Sequence, residues 1–247
     1  MYTLQPNQRL LGEGDGFPHL VDTVEAGTIL LPRSGNGGVS RPMISGTMGV
    51  AVTANTDTEI SALIIDSPTV AGILADMDGM VNINRNTVNL NQLANTNGIV
   101  IRGTGANDTT ALVAMNEVNN PGLNGVLVDQ QAGATGTMDV MIVDNNTFTD
   151  TAGGAADAGV RLLSNGAAGS MFLATVDNNM FIMSDVDIEA ISVLMSGNAD
   201  GDVGTGVPER DEDLIALRQR RSREPPAGIG RHVAGRACPE QLPLLPR

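Results

Sequence analysis

A short strand signal of the form Gly-[Ile/Val]-x-[aliphatic/Ala] recurs along the middle of the chain. It reads GVAV at 49, GILA at 72, GIVI at 98, GVLV at 125, GVRL at 159 and, with alanine leading, AISV at 190. Successive starts lie 23, 26, 27, 34 and 31 residues apart, which is a solenoid period with length variation and not one globular plan. A second signal, Val/Ile-x-x-Asn-x-Val/Phe, runs in phase with the first: INRNTV (83–88), VAMNEV (113–118), VDNNTF (143–148) and VDNNMF (176–181). IDSPTV (65–70) reads as an earlier copy, with Pro68 where the others carry Asn86, Asn116, Asn146 and Asn179.

Residues alternate between the two faces of a strand, so the aliphatics at Gly+1 and Gly+3 point one way and their neighbours the other. Ile99 with Ile101, Val126 with Val128, Val160 with Leu162, and Ile191 with Val193 are therefore expected to face inward. One repeat cannot bury such a face alone, so the repeats must stack as rungs of short parallel strands. A helical solenoid is excluded by the two-residue period and by the Asn, Thr, Gly and Val richness of residues 50–200.

A polar residue recurring among inward aliphatics is costly to bury without partners. The Asn column has two structural readings. Its side chains either serve turns, where Asn tolerates the left-handed conformation, or stack rung on rung, each carboxamide donating to one neighbour and accepting from the other. Neither reading makes Asn86, Asn116, Asn146 or Asn179 catalytic.

Composition narrows the class. Hydrophobic residues make up 41% of the 247, with 30 Gly and only five aromatics (Tyr2, Phe17, Phe148, Phe172, Phe181). A core of small aliphatics suits thin rungs better than a bulky globular interior. Six rungs at about 4.8 Å each give a stack on the order of 25–30 Å, short for this architecture, so the chain is expected to be part of a longer protein.

Over residues 49–195 the pattern resembles the right-handed parallel β-helix proteins of the pectate-lyase-like superfamily. The opening LQPNQRLLGEG (4–14), AGTILLP (26–32) and RPMISG (41–46), followed by the GVAV coil, is similar to large bacterial surface proteins, including autotransporter-like passengers. This resemblance implies an all-β, right-handed parallel β-helix, and an exported or cell-surface location.

The end of the chain differs in character. Residues 1–207 hold six basic and 22 acidic residues, a net of −16, whereas 208–247 hold eight Arg and six acids, a net of +2. The tail drops the repeat and contains the only cysteine, Cys238. DEDLIALRQRR (211–221) is expected to form a short helix, acids in its first turn and arginines in its last, as the helix dipole prefers. Beyond it the Pro and Arg density reads as disordered, consistent with a translation artefact such as a frameshift or with a genuine basic tail.

A net charge of −14, with every basic residue an Arg, argues against nucleic acid and anionic membranes as partners. No apolar run approaches the roughly 18 residues of a membrane-spanning helix. MYTLQPNQRL is not a secretory signal, which for an exported family suggests a truncated upstream end.

Read in register, Gly+4 places Asp76, Arg102 and Asp129 on successive rungs. An arginine between two carboxylates makes an exposed ion-pair ladder that discourages slippage, worth about 0–1 kcal/mol per pair. The superfamily resemblance implies a second use, since some of its polysaccharide lyases employ an arginine as Brønsted base beside calcium-binding carboxylates. Such a base must be desolvated enough to lose a proton, which the high pKa of Arg opposes.

Two calcium candidates accompany it. Asp66, Asp144 and Asp177 recur two residues before the Asn column, interrupted by Asn84 and Ala114; stacked carboxylates would repel without a cation. In GNADGDVGTG (197–206), Asn198, Asp200 and Asp202 alternate as in a calcium loop with Glu209 downstream, but the loop glycine is out of place at 203. A glycine-rich turn closing the last coil is the plainer expectation.

Enzymatic signatures are otherwise missing. The polygalacturonase-like motifs of the superfamily (Asn-Thr-Asp, paired Asp, Gly-His-Gly, Arg-Ile-Lys) are absent, and no glycosidase carboxylate pair stands out among the scattered Asp. His19 precedes the coils and His232 lies in the tail, leaving no triad or zinc cluster within the repeats. GEGDG (12–16) has no basic residue or helix behind it to cradle a phosphate.

The expected organisation is an N-terminal strand segment and cap over 1–48, about six β-helix coils over 49–207, and the Arg/Pro-rich tail over 208–247. The expected role is noncatalytic, structural or adhesive. Glycans or cell-surface proteins would bind the outward faces and the loops at 129–139 and 150–158, with a calcium-dependent lyase as the alternative and no catalytic residue or resident metal assigned.

Overall fold

The computed structural model describes residues 1–12, 20–23, 27–30, 41–46, 48–92, 95–150, 158–183, 189–195, 200–206 and 218–221. Among them are strands and turns but no helix. Three wholly parallel sheets run the length of a solenoid. The first contains Tyr2–Thr3, Val50–Ala54, Ala71–Asp76, Asn97–Gly103, Asn124–Gln130, Ala158–Ser164, Glu189–Met195 and Arg218–Arg221 in that order. The second contains Arg9–Leu11, Thr58–Ser61, Gly79–Asn84, Thr109–Ala114, Thr137–Val143, Met171–Asp177 and Asp200–Gly206. The third contains Met43–Ser45, Ile64–Asp66, Thr87–Asn89, Glu117–Asn119, Thr147–Asp150 and Met180–Met183.

The chain visits the three sheets in turn, which is a parallel β-helix. The coil count differs slightly from six. Five coils between Val50 and Met183 carry all three strands. Below them Tyr2–Ser45 supplies one strand to each sheet, with an antiparallel hairpin, Leu20–Thr23 against Gly27–Leu30, between the second and third. Above them the described residues include two strands of a further coil, Glu189–Met195 and Asp200–Gly206, and one of the next, Arg218–Arg221.

The interior is the inward column of each sheet. Ile99, Ile101, Val126, Val128, Val160 and Leu162 are fully buried, and Ile191 and Val193 nearly so. They meet Val81, Ile83, Ala111, Val113, Val140, Ile142 and Phe172 of the second sheet and Val88, Val118 and Phe148 of the third. Each fully buried large side chain contributes about 1.5–3 kcal/mol relative to exposure. Phe148 and Phe181, register partners in the third sheet, stack with centroids 5.1 Å apart.

The repeating glycine has a steric cause. A Cβ on Gly98 would lie 2.4 Å from Val118 Cγ1 and 2.5 Å from the carbonyl oxygen of Gly125. Gly72 would meet Val88, Gly125 would meet Phe148 and Gly159 would meet Phe181 in the same way. The first sheet thus needs a bare backbone where the third sheet's apolar column crosses the interior. At the bottom the frame differs from the sequence reading. Val52 pairs with Ile73, so Ala51, not Gly49, stands at the glycine position. Gly49 lies two residues earlier at φ 94°.

The Asn column also needs one correction of frame. Thr87 pairs with Ile64, which puts Leu63 below Asn86 and places Pro68 elsewhere. Asn86, Asn116 and Asn146 are fully buried and Asn179 partly so. The Oδ1 of Asn116 accepts the backbone N–H (3.0 Å) and the Nδ2–H (3.1 Å) of Asn86. Asn146 receives the same pair from Asn116, and Asn179 from Asn146. Each Nδ2 also donates to a carbonyl one rung down, of Ile60, Ile83, Val113 and Ile142 in turn. The left-handed corner conformation belongs to the preceding residue: Ala62, Arg85, Met115, Asn145 and Asn178 have φ of 54–62°.

Two expectations for the C-terminal part are overturned. Residues 218–221 of the expected helix form a strand beside Ser192–Met195, because the open edge of the first sheet offers ladder hydrogen bonds that a solvated helix end lacks. Asp200–Gly206 is likewise a strand paired with Met171–Asp177 and not a closing turn; Asn198 and Glu209 of the calcium-loop reading lie outside the described residues. Residues 196–199, 207–217 and 222–247 lie outside the described residues, as do His19, His232 and Cys238.

Candidate functional site

The first sheet positions the charged column. Arg102 is the register partner of Asp76 on one side and Asp129 on the other. The inward aliphatics at Ile99 and Ile101 force Arg102 outward by alternation, and the same parity turns out Asp76 and Asp129. Arg102 Nη1 lies 3.8 Å from Asp76 Oδ2, each side chain being 38% exposed. The column then turns apolar: Leu163 stands beside Asp129 and Leu194 beside Leu163. Next to it runs an outward aliphatic column of Leu74, Val100 and Leu127, of which Val100 is buried.

Asp129 differs from Asp76 in its surroundings. Burial raises its carboxyl pKa, opposed by the Arg102 charge and by a hydrogen bond donated by Gln131 Nε2, with Asp76 adding to the rise. The Nε of Arg102 is buried without an acceptor. Sequence register pointed to the three charges; the part played by Gln131 comes from the corner that follows Asp129, which no repeat spacing encodes.

Asp66, Asp144 and Asp177 do not form a column. Asp66 pairs with Asn89 in the third sheet, Asp177 is in the second sheet opposite Gly206, and Asp144 sits at a corner with φ 59°. Asp144 is offset from Asp177 by an extra corner residue, since Val113 pairs with Ile142 and Ile142 with Val176 and the 143–146 corner is one longer than its neighbours, whereas Asp66 is out of line because Leu63 holds the column position of its rung. The loop after Asp129 is also no free projection. Gln131 N–H donates to Gly103 O and Thr135 N–H to Gly105 O, while Ala167 N–H donates to Ala134 O from the rung above. Residues 151–157 of the other candidate loop lie outside the described residues.

Fold and surface together define a parallel β-helix repeat protein with an outward charge ladder. No family model, curated protein or solved structure matches the chain.

Proposed function

We propose that the chain is a noncatalytic structural or adhesive module of an exported bacterial surface protein, presenting its outward faces to glycans or cell-surface proteins. The observation that carries this reading is the setting of Arg102: more than a third exposed and sharing its charge with an equally exposed carboxylate. An exposed, paired charge of this kind suits an outward binding or register-fixing face. Export and bacterial origin rest on the resemblance of the opening segments to surface β-helix proteins.

A calcium-dependent polysaccharide lyase is the second reading, favoured by the raised carboxyl of Asp129 beside an Arg102 Nε with no acceptor. The test is incubation with acidic polysaccharides, with and without calcium, following unsaturated product ends. No cleavage of any polymer is expected. Calcium-dependent cleavage lost in Arg102→Ala would replace the adhesive reading with the lyase.

A further inference from the structure

An asparagine followed by glycine can lose its side-chain amide spontaneously, because the glycine nitrogen attacks the carboxamide unhindered by a Cβ. The chain has four such pairs: Asn36–Gly37, Asn97–Gly98, Asn124–Gly125 and Asn165–Gly166. The first lies outside the described residues. Ring closure requires the asparagine backbone to leave the extended form, so a strand in a sheet suppresses it. Asn97–Gly98 and Asn124–Gly125 open strands of the first sheet, Asn97 beside Ala71 and Asn124 beside Ala158. Asn97 N–H donates to Val70 O, Asn124 Nδ2 donates to Asn97 Oδ1 at 2.9 Å, and both asparagines are buried. The related Asp78–Gly79 pair is held as well, since Gly79 N–H donates to Asp108 O at 2.7 Å. Asn165–Gly166 is placed differently. It lies in the corner between Ala158–Ser164 and Met171–Asp177, Asn165 is partly exposed, and Gly166 N–H donates to no acceptor among the described residues. The corner itself demands the glycine, because a Cβ there would lie 2.2 Å from Ser170 Oγ and 2.7 Å from Gln130 Oε1.

We infer that Asn165 is a site of spontaneous deamidation in the folded chain, while the parallel ladder shields Asn97 and Asn124. The Gly166 nitrogen bonds to Asn165 Cγ, the bond from Cγ to the side-chain nitrogen breaks, and that nitrogen leaves as ammonia. Water then opens the cyclic imide at one of its two carbonyls, giving aspartate or isoaspartate. One water is consumed, one ammonia is released, and the product carries a new negative charge at neutral pH. Isoaspartate also adds a carbon to the main chain. It does so in a corner that two hydrogen bonds fix to the rung below, Asn165 N–H to Gln130 O and Ala167 N–H to Ala134 O, each at 2.9 Å. The modification therefore works against the fit of this corner on its neighbour. The inference is independent of the adhesive reading.

The test incubates the full chain in warm, mildly alkaline buffer, folded in one sample and unfolded by denaturant in another. Peptide mass spectrometry follows the amide-to-acid mass gain at each asparagine. In the folded chain Asn165 should convert at least about tenfold faster than Asn97 or Asn124, whose reaction waits on local opening of the ladder. In the unfolded chain the three should convert at similar rates. No conversion at Asn165, conversion at Asn97 or Asn124 keeping pace with it in the folded chain, or the same preference for Asn165 in the unfolded chain would overturn the inference.

Discussion

The carboxamide oxygen of Asn146 accepts two hydrogen bonds from Asn116, one from its backbone N–H at 2.9 Å and one from its Nδ2 at 3.1 Å. One buried side chain therefore satisfies donors of the rung beneath, while its own Nδ2 reaches Val113 O and Val143 O. The arrangement offsets the cost of the corner just before it. Left-handed backbone at Ala62, Arg85 and Met115 costs on the order of 1 kcal/mol at each non-glycine residue.

Asn116→Ala deletes the acceptor for Asn86, leaving the buried Asn86 N–H without its partner, and removes the carboxamide donor to Ile83 O. A loss of about 2–4 kcal/mol is expected, read as a shift in the denaturant midpoint. A loss below about 0.5 kcal/mol would mean that water replaces the ladder, against the burial observed.

Gly98→Ala tests the steric account of the glycine column. Its Cβ would press on Val118 and on the backbone of Gly125, for an expected cost of about 1–3 kcal/mol. Val118→Ala in the same chain relieves only the side-chain clash, so partial recovery is expected from a double-mutant cycle.

Phe148→Ala removes a fully buried ring stacked on Phe181 and should cost about 3–5 kcal/mol. Thermal or chemical unfolding measures it directly.

Asp129 governs the expected pH dependence. Its folded-state carboxyl keeps a proton to higher pH than in the unfolded chain, so the native state binds more protons between the two pKa values. Stability from this group therefore falls as pH rises through that window. Asp129→Asn should be more stable than the parent chain at pH 7, the gap closing below about pH 4. A variant less stable at pH 7 would show that attraction to Arg102 outweighs burial.

Much of this was legible in sequence because strand parity is robust. A slip of two residues leaves inward side chains inward, so reading Gly49 for Ala51 did not disturb the expected core, whereas reading Pro68 for Leu63, a slip of five, put the half-exposed Val70 where Ile65 is buried. The Asn spacing put Asn86, Asn116, Asn146 and Asn179 in one column for the same reason. Corner lengths were not legible. The extra residue at 143–146 offsets Asp144 from Asp177, and the Asp129 environment depends on Gln131 beyond its strand. The 218–221 strand is set by an open sheet edge, whereas local charge order favours helix.

Amide hydrogen exchange tests the central claim, that side-chain acceptors bind the coils together through the Asn column. The backbone amides of Asn86, Asn116 and Asn146, each donated to the carboxamide of the Asn above, should exchange as slowly as buried ladder amides. Fast exchange at these three would contradict the ladder.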